Sequence, residues 1–135
     1  MKSLTTFIIT CLIVTLQVSA QNNCSNPLQV NICPSVTLYN QTNAGMGDDL
    51  TGPSCNIVGE DVLYQVNIAN GASKLIVSIQ NCTGPFRVFA EKVCGSCMPL
   101  GSIYTTQPMC NLSVNASNDT VLYVWVDAAA TITYD

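Results

Sequence analysis

The chain alternates apolar and polar residues with a period of two wherever it has any periodicity, which places apolar side chains on one face of an extended backbone. Over residues 28–32, Leu28, Val30 and Ile32 alternate with Gln29 and Asn31; Pro34 and Ser35 interrupt the run, and it resumes over residues 36–39. The clearest pair follows. Val62, Tyr64, Val66 and Ile68 alternate with Leu63, Gln65 and Asn67 across residues 61–68, and Leu75, Val77 and Ile79 alternate with Ile76, Ser78 and Gln80 across residues 74–80. The five residues between them, 69–73, contain Asn and Gly and predict a hairpin loop. Residues 81–85 predict a second turn into a strand at 86–91, with Phe86, Val88 and Ala90 on one face and Arg87, Phe89 and Glu91 on the other. Shorter strands are expected at 102–105, 111–114, 121–127 and 131–134. Residues 40–56 and 94–108 are rich in Gly, Asn, Ser, Thr and Pro, lack periodicity and read as loops. The first of these is long for a compact domain, and such loops are often where contact happens.

No stripe of helical period accompanies these strands. About eight short strands at such spacings predict an all-β domain, an antiparallel two-sheet sandwich of jelly-roll type stapled by disulfides. The domain is expected to span residues 21–135, because residues 1–20 have the form of a secretion signal. Lys2 is the positive start, residues 4–16 are a mostly apolar run, and Val18, Ser19 and Ala20 are the small residues of a cleavage site. The apolar run is too short for a bilayer core of about 30 Å. The mature product of 115 residues is therefore expected to be secreted and extracellular, without a membrane span and with no tail or second domain after its last strand.

Histidine is absent from the chain. That removes Ser-His-Asp and Cys-His nucleophile sites, His-containing zinc motifs and His-ligated haem or copper, and no catalytic residue is expected. With Lys2 gone, Lys74, Arg87 and Lys92 stand against eight carboxylates, a net charge of −5. Nucleic acid needs a basic stripe, so it is not an expected partner.

Seven cysteines remain after Cys11 leaves with the signal: Cys24, Cys33, Cys55, Cys82, Cys94, Cys97 and Cys110. In a secreted chain all are disulfide candidates. Three bridges leave one thiol over, and the pairing has 105 solutions, so connectivity stays open. Cys94-Gly95-Ser96-Cys97 is spelled like a dithiol redox motif, which works at a helix N-terminus. Residues 98–101 read as a turn instead, so a structural bridge or loop staple is expected.

Several landmarks fall in an order that resembles a known family. They are Asn22 to Asn26, Thr42-Asn43-Ala44 followed by Asp48-Asp49, Pro53-Ser54-Cys55, Gly59-Glu60-Asp61-Val62-Leu63-Tyr64, the strand leading to Cys82, and Cys94-Gly95-Ser96-Cys97. The pattern resembles the bacterial pre-peptidase C-terminal type β-sandwich, in the Cys-containing form found in surface proteins of Bacteroidetes. The resemblance implies a non-catalytic accessory module, some members of which bind calcium or polysaccharide.

Three constellations bear on function. Six N-x-[ST] sequons, at Asn23, Asn40, Asn81, Asn111, Asn115 and Asn118, exceed the two or so that 13 Asn and 18 Ser and Thr would give by chance. They read either as N-glycosylation sites or as the by-product of an Asn/Thr-rich surface. Tyr123 and Trp125 share one face of a strand whose other face is Leu122, Val124 and Val126. Either the aliphatic face is core and the aromatics are exposed contact candidates, or the aromatic face is core; a strand apolar on both faces is central or covered. Asp48, Asp49, Glu60 and Asp61 are hard oxygen donors that make calcium the one candidate ligand, although turn acids also explain them. No other cofactor is expected. The leading expectation is a secreted structural protein that assembles with copies of itself into a fibre or matrix, with residues 21–32 able to add to a neighbour's sheet edge. The alternative is a monomeric glycan- or calcium-binding module.

Overall fold

The structure, a computed structural model, describes residues 23–32, 35–48, 59–68, 72–116 and 119–135. The signal segment, Cys33, Asp49, Cys55 and Asn118 lie outside them. Nine strands form among the described residues: β1 (Leu28–Asn31), β2 (Gln41–Thr42), β3 (Glu60–Asn67), β4 (Lys74–Ile79), β5 (Phe86–Glu91), β6 (Gly101–Thr105), β7 (Cys110–Asn115), β8 (Val121–Ala128) and β9 (Thr133–Tyr134). The fold is all-β. A five-stranded sheet has the order β1-β3-β8-β5-β6, and β2-β9 and β4-β7 form two-stranded sheets.

Two expectations need correction. The sheets are not purely antiparallel, because β1 pairs parallel to β3, with Leu28 opposite Tyr64 and Asn31 opposite Asn67. Side-chain alternation says which face a residue takes and nothing about the direction of its partner. Residues 36–39 alternate as a strand would but join no ladder among the described residues, and pairing resumes only at β2.

The antiparallel register of β3, β8 and β5 sorts the large sheet into two faces. On one, Val62, Val126 and Val88 lie in one row across the strands, and Tyr64, Val124 and Ala90 in the next. These residues are buried with Leu75 and Ile79 of β4 and Leu112 and Val114 of β7, in one core. Leu75 sits opposite Val114 and Val77 opposite Leu112, while Ile76, Ser78, Asn111, Ser113 and Asn115 face outward. Each fully buried Val, Leu or Ile contributes about 1.5–3 kcal/mol, which makes this core the main stabilising term. Gly101 permits close approach of the two sheets, since a Cβ there would meet Val114 Cγ1 at 2.8 Å.

Polar side chains close the remaining seams. Asn43 is fully buried in the loop after β2. Its Nδ2 donates to the carbonyls of Glu60 (2.9 Å) and Ala130 (3.1 Å), and its Oδ1 accepts from Ile132 N at 2.7 Å. One amide thereby joins three segments as a strand would. Tyr64 and Tyr134 meet hydroxyl to hydroxyl at 2.9 Å in the core, and Tyr64 donates on to Gln41 Oε1 at 3.3 Å. Burial pushes the Tyr64 hydroxyl up to about 12 and raises Tyr134 well above its ordinary value.

Because the folded state holds the Tyr64 proton more tightly than the unfolded chain does, its contribution is complete below pH 10 and is lost as pH rises through about 12. Denaturant titrations should show unfolding free energy falling by about 2–3 kcal/mol between those limits. A Tyr64→Phe variant should fall by less over the same range; an equal fall in both would contradict the assignment.

Candidate functional site

The second face of the large sheet is also apolar. Leu63, Trp125 and Phe89 lie side by side on β3, β8 and β5, and all three are buried. The Phe89 and Trp125 rings stack with centroids 6.3 Å apart. Their cover is the loop that follows β5: Cys94 and Cys97, with Tyr123, pack against the three. Arg87 closes one side, its guanidinium 4.9 Å from the Phe89 ring centroid and its Nε donating to Ser102 Oγ at 2.9 Å.

Glu91 holds that cover in place. Fully buried at the end of β5, its carboxylate accepts from Gly95 N (2.6 Å), Ser96 Oγ (2.9 Å), Cys97 N (3.1 Å) and the Trp125 indole Nε1 (2.8 Å). Gly95 and Cys97 take positive φ values of 70° and 55°, which turns their N–H groups toward one point. Such a concave run of amides suits an anion, and Glu91 fills it from within the chain. A disulfide joins Cys94 to Cys24, with Cα atoms 5.7 Å apart, and fastens the segment before β1 to the same loop. Cys97 is disulfide-bonded as well. Cys94 and Cys97 are therefore not a redox pair with each other, and their loop is a lid over the sheet's second face.

Trp125 is thus not an exposed contact residue: 1% of it is accessible. Tyr123 is half-buried beside it. Of the calcium candidates, Asp48 is exposed and Asp49 is outside the described residues. Glu60 is drawn into the fold, accepting from Gly45 N at 2.8 Å and from Thr131 Oγ1 at 3.3 Å, and Asp61 is fully buried on β3. Among the described residues no group of three metal-ligating side chains forms. Asp61 instead stands opposite Asp127 of β8, which is also fully buried and which sequence periodicity did not single out.

The sequon asparagines separate by environment. Asn111 and Asn115 project from the outer face of β7, while Asn23 Oδ1 is occupied by Ser25 N at 3.0 Å. Asn40 and Asn81, both at φ 54°, converge on Asp135: Asn40 N donates to Oδ1 at 2.8 Å and Asn81 Nδ2 to Oδ2 at 2.9 Å. These bonds lower the Asp135 pKa.

An apolar concavity lies elsewhere. A groove of about 580 Å³ opens between the β1–β3 edge of the large sheet and β4, walled by Val30, Val66, Leu75 and Val77 with Val124 and Val126 at its base. Val36, Tyr39 and Ile76 rim it, and they are 45%, 68% and 64% exposed. Among the described residues β4 is paired only with β7, and β1 only with β3. Periodicity could place these residues on faces; it could not reveal that, among the described residues, two edges lack a neighbour beside one groove. Among the described residues no helix is long and apolar enough to cross a membrane. No family model matches the chain, and no curated protein or solved structure matches it either.

Removing the Glu91 carboxylate leaves the buried indole N–H and two part-buried loop amides without their acceptor. Glu91→Ala should lower unfolding free energy by about 3 kcal/mol or more, and Glu91→Gln, which keeps one acceptor oxygen, by less. Chemical denaturation of both variants checks the order, and an Ala variant as stable as the parent would refute the role given to Glu91.

Proposed function

We propose that the chain is a secreted, non-catalytic structural protein. In this reading it is a disulfide-stapled two-sheet sandwich of jelly-roll type that assembles with copies of itself into an extracellular fibre or matrix. The observation that carries the proposal is the apolar groove along the open edge of β4. After Lys74 this strand runs Leu-Ile-Val-Ser-Ile, without a charge or proline to discourage a new neighbour. Soluble β proteins ordinarily blunt such an edge with those devices. Three exposed large apolar side chains, Val36, Tyr39 and Ile76, gather at the same place. A second copy that pairs its own β4 antiparallel to this one satisfies the main-chain groups of both edges and covers both rims, as a two-fold contact requires.

A line of copies needs a second, different contact. The edge of β1, Leu-Gln-Val-Asn and uncharged, supplies one from the other sheet. Residues 28–31 already pair with β3 of their own chain, so they offer their outer edge to a neighbour and are not a free donor strand. Glycans on Asn111 and Asn115 would stand on the outward face of β7. Secretion into an oxidising compartment agrees with the Cys24–Cys94 bond. The alternative, a monomeric glycan- or calcium-binding module of the kind the family resemblance implies, has less support, because Trp125 is unavailable for stacking on a sugar.

Sedimentation and electron microscopy of the mature protein at rising concentration test the proposal. Wild type should associate, and Ile76→Lys, which puts a charge on the exposed edge without touching the core, should remain monomeric with an unchanged melting temperature. A wild-type protein that stays monomeric at high concentration would overturn the reading. Retention on a polysaccharide or a calcium-dependent shift in that monomer would favour the alternative.

A further inference from the structure

Cys82 and Cys110 are thiols in the structure, whereas Cys24, Cys94 and Cys97 are all bonded. The two belong to the same end of the β4–β7 sheet. Cys110 opens β7 opposite Ile79, the last residue of β4. Beyond Ile79 the chain turns at Asn81, which has a φ of 54°, and Cys82 N then donates to the Pro108 carbonyl at 2.9 Å. The turn therefore carries Cys82 back onto the segment that leads into Cys110. Both side chains join the main core: Cys82 is buried within it, and Cys110 is half-buried against it. Burial raises both thiols above their ordinary pKa, and each lies within electrostatic reach of the other, since Cys82 further raises Cys110.

We propose that Cys82 and Cys110 are the two halves of an oxidisable site that closes to a disulfide across the end of the β4–β7 sheet. The oxidant it takes is a small-molecule or protein disulfide. Cys110, the more exposed, is the entry point. Its thiolate attacks one sulfur of the external disulfide, forming a mixed disulfide and releasing one thiolate. The Cys82 thiolate then attacks Cys110 Sγ, the mixed bond breaks, and the second external thiolate leaves. Two protein thiols are oxidised by two electrons, the external disulfide is reduced to two thiols, and the two protons lost by the cysteines pass to those leaving groups. The bond closes a loop containing β5 and β6, so it joins the two strands of the small sheet at one end and encloses two strands of the large one. Because both thiols are held protonated by burial, closure should speed up as pH rises from 7 to 9.

The site lies within a single chain and depends on neither assembly nor secretion. The test is to incubate the full mature chain with oxidised glutathione, block remaining thiols in denaturant, and map the linkages. Trypsin after Lys74 and Arg87 isolates residues 75–87 with Cys82, and cyanogen bromide cleavage after Met109 isolates residues 110–135 with Cys110. The expected result is a single linked species of these two peptides that separates on reduction, with loss of both alkylatable thiols. In Cys82→Ser, which cannot close the bond, Cys110 should instead carry one glutathione, reversible on reduction. Quantitative alkylation of both cysteines after the same incubation, or linkage of either to another cysteine, would overturn the proposal. If the serine variant fails to fold, linkage mapping of the wild type decides alone.

Discussion

Strand β8 is apolar on both faces, and much of what surrounds it follows from the need to cover the second one. The inner face, with Leu122, Val124 and Val126, is covered by β4 and β7 in the ordinary way. Among the described residues no sheet stands over Trp125 on the other side, and a loop covers it. A loop is a poor cover by itself, because its backbone groups also need partners. Glu91 resolves both demands with one carboxylate, which takes the indole N–H from below and the amides of Gly95 and Cys97 from above. The Cys24–Cys94 bond then keeps the lid from lifting and fixes the segment that leads to β1. Desolvating that carboxylate is costly, and only its full set of donors makes it tolerable.

The two sides of the molecule are therefore treated differently. Where the second face of the large sheet would have been exposed, the chain invests a buried acid and disulfides to close it. Along β4, by contrast, an edge uncharged after Lys74 and an apolar groove are left uncovered within the described residues. This contrast is the physical basis for reading the groove as a contact surface, since a chain that seals one apolar face so thoroughly leaves, among the described residues, the β4 edge unpaired beside three exposed large side chains.

Much of this fold was legible in the sequence. Period-two alternation located β3, β4, β5, β7 and β8 to within a residue or two, and the doubly apolar run at 121–127 marked a central or covered strand. Other features were hidden for definite reasons. The parallel pairing of β1 depends on chain direction, which alternation does not encode. Asn43 and Glu91 resemble ordinary loop and strand-end polar residues until three-dimensional packing brings them their partners. Residues 36–39 alternate well, yet alternation only prepares a strand for a neighbour. Cys94 and Cys97 read as a structural bridge or loop staple, but spacing left the pairing open, and the partner of Cys94 is Cys24, 70 residues away.

Trp125 is the only tryptophan in the chain, so its fluorescence reports directly on the covered second face. In the oxidised native protein the account predicts blue-shifted emission that acrylamide scarcely quenches, and a red shift with quenching when the disulfides are reduced. Emission typical of a solvated indole in the oxidised native protein, quenched freely, would contradict it.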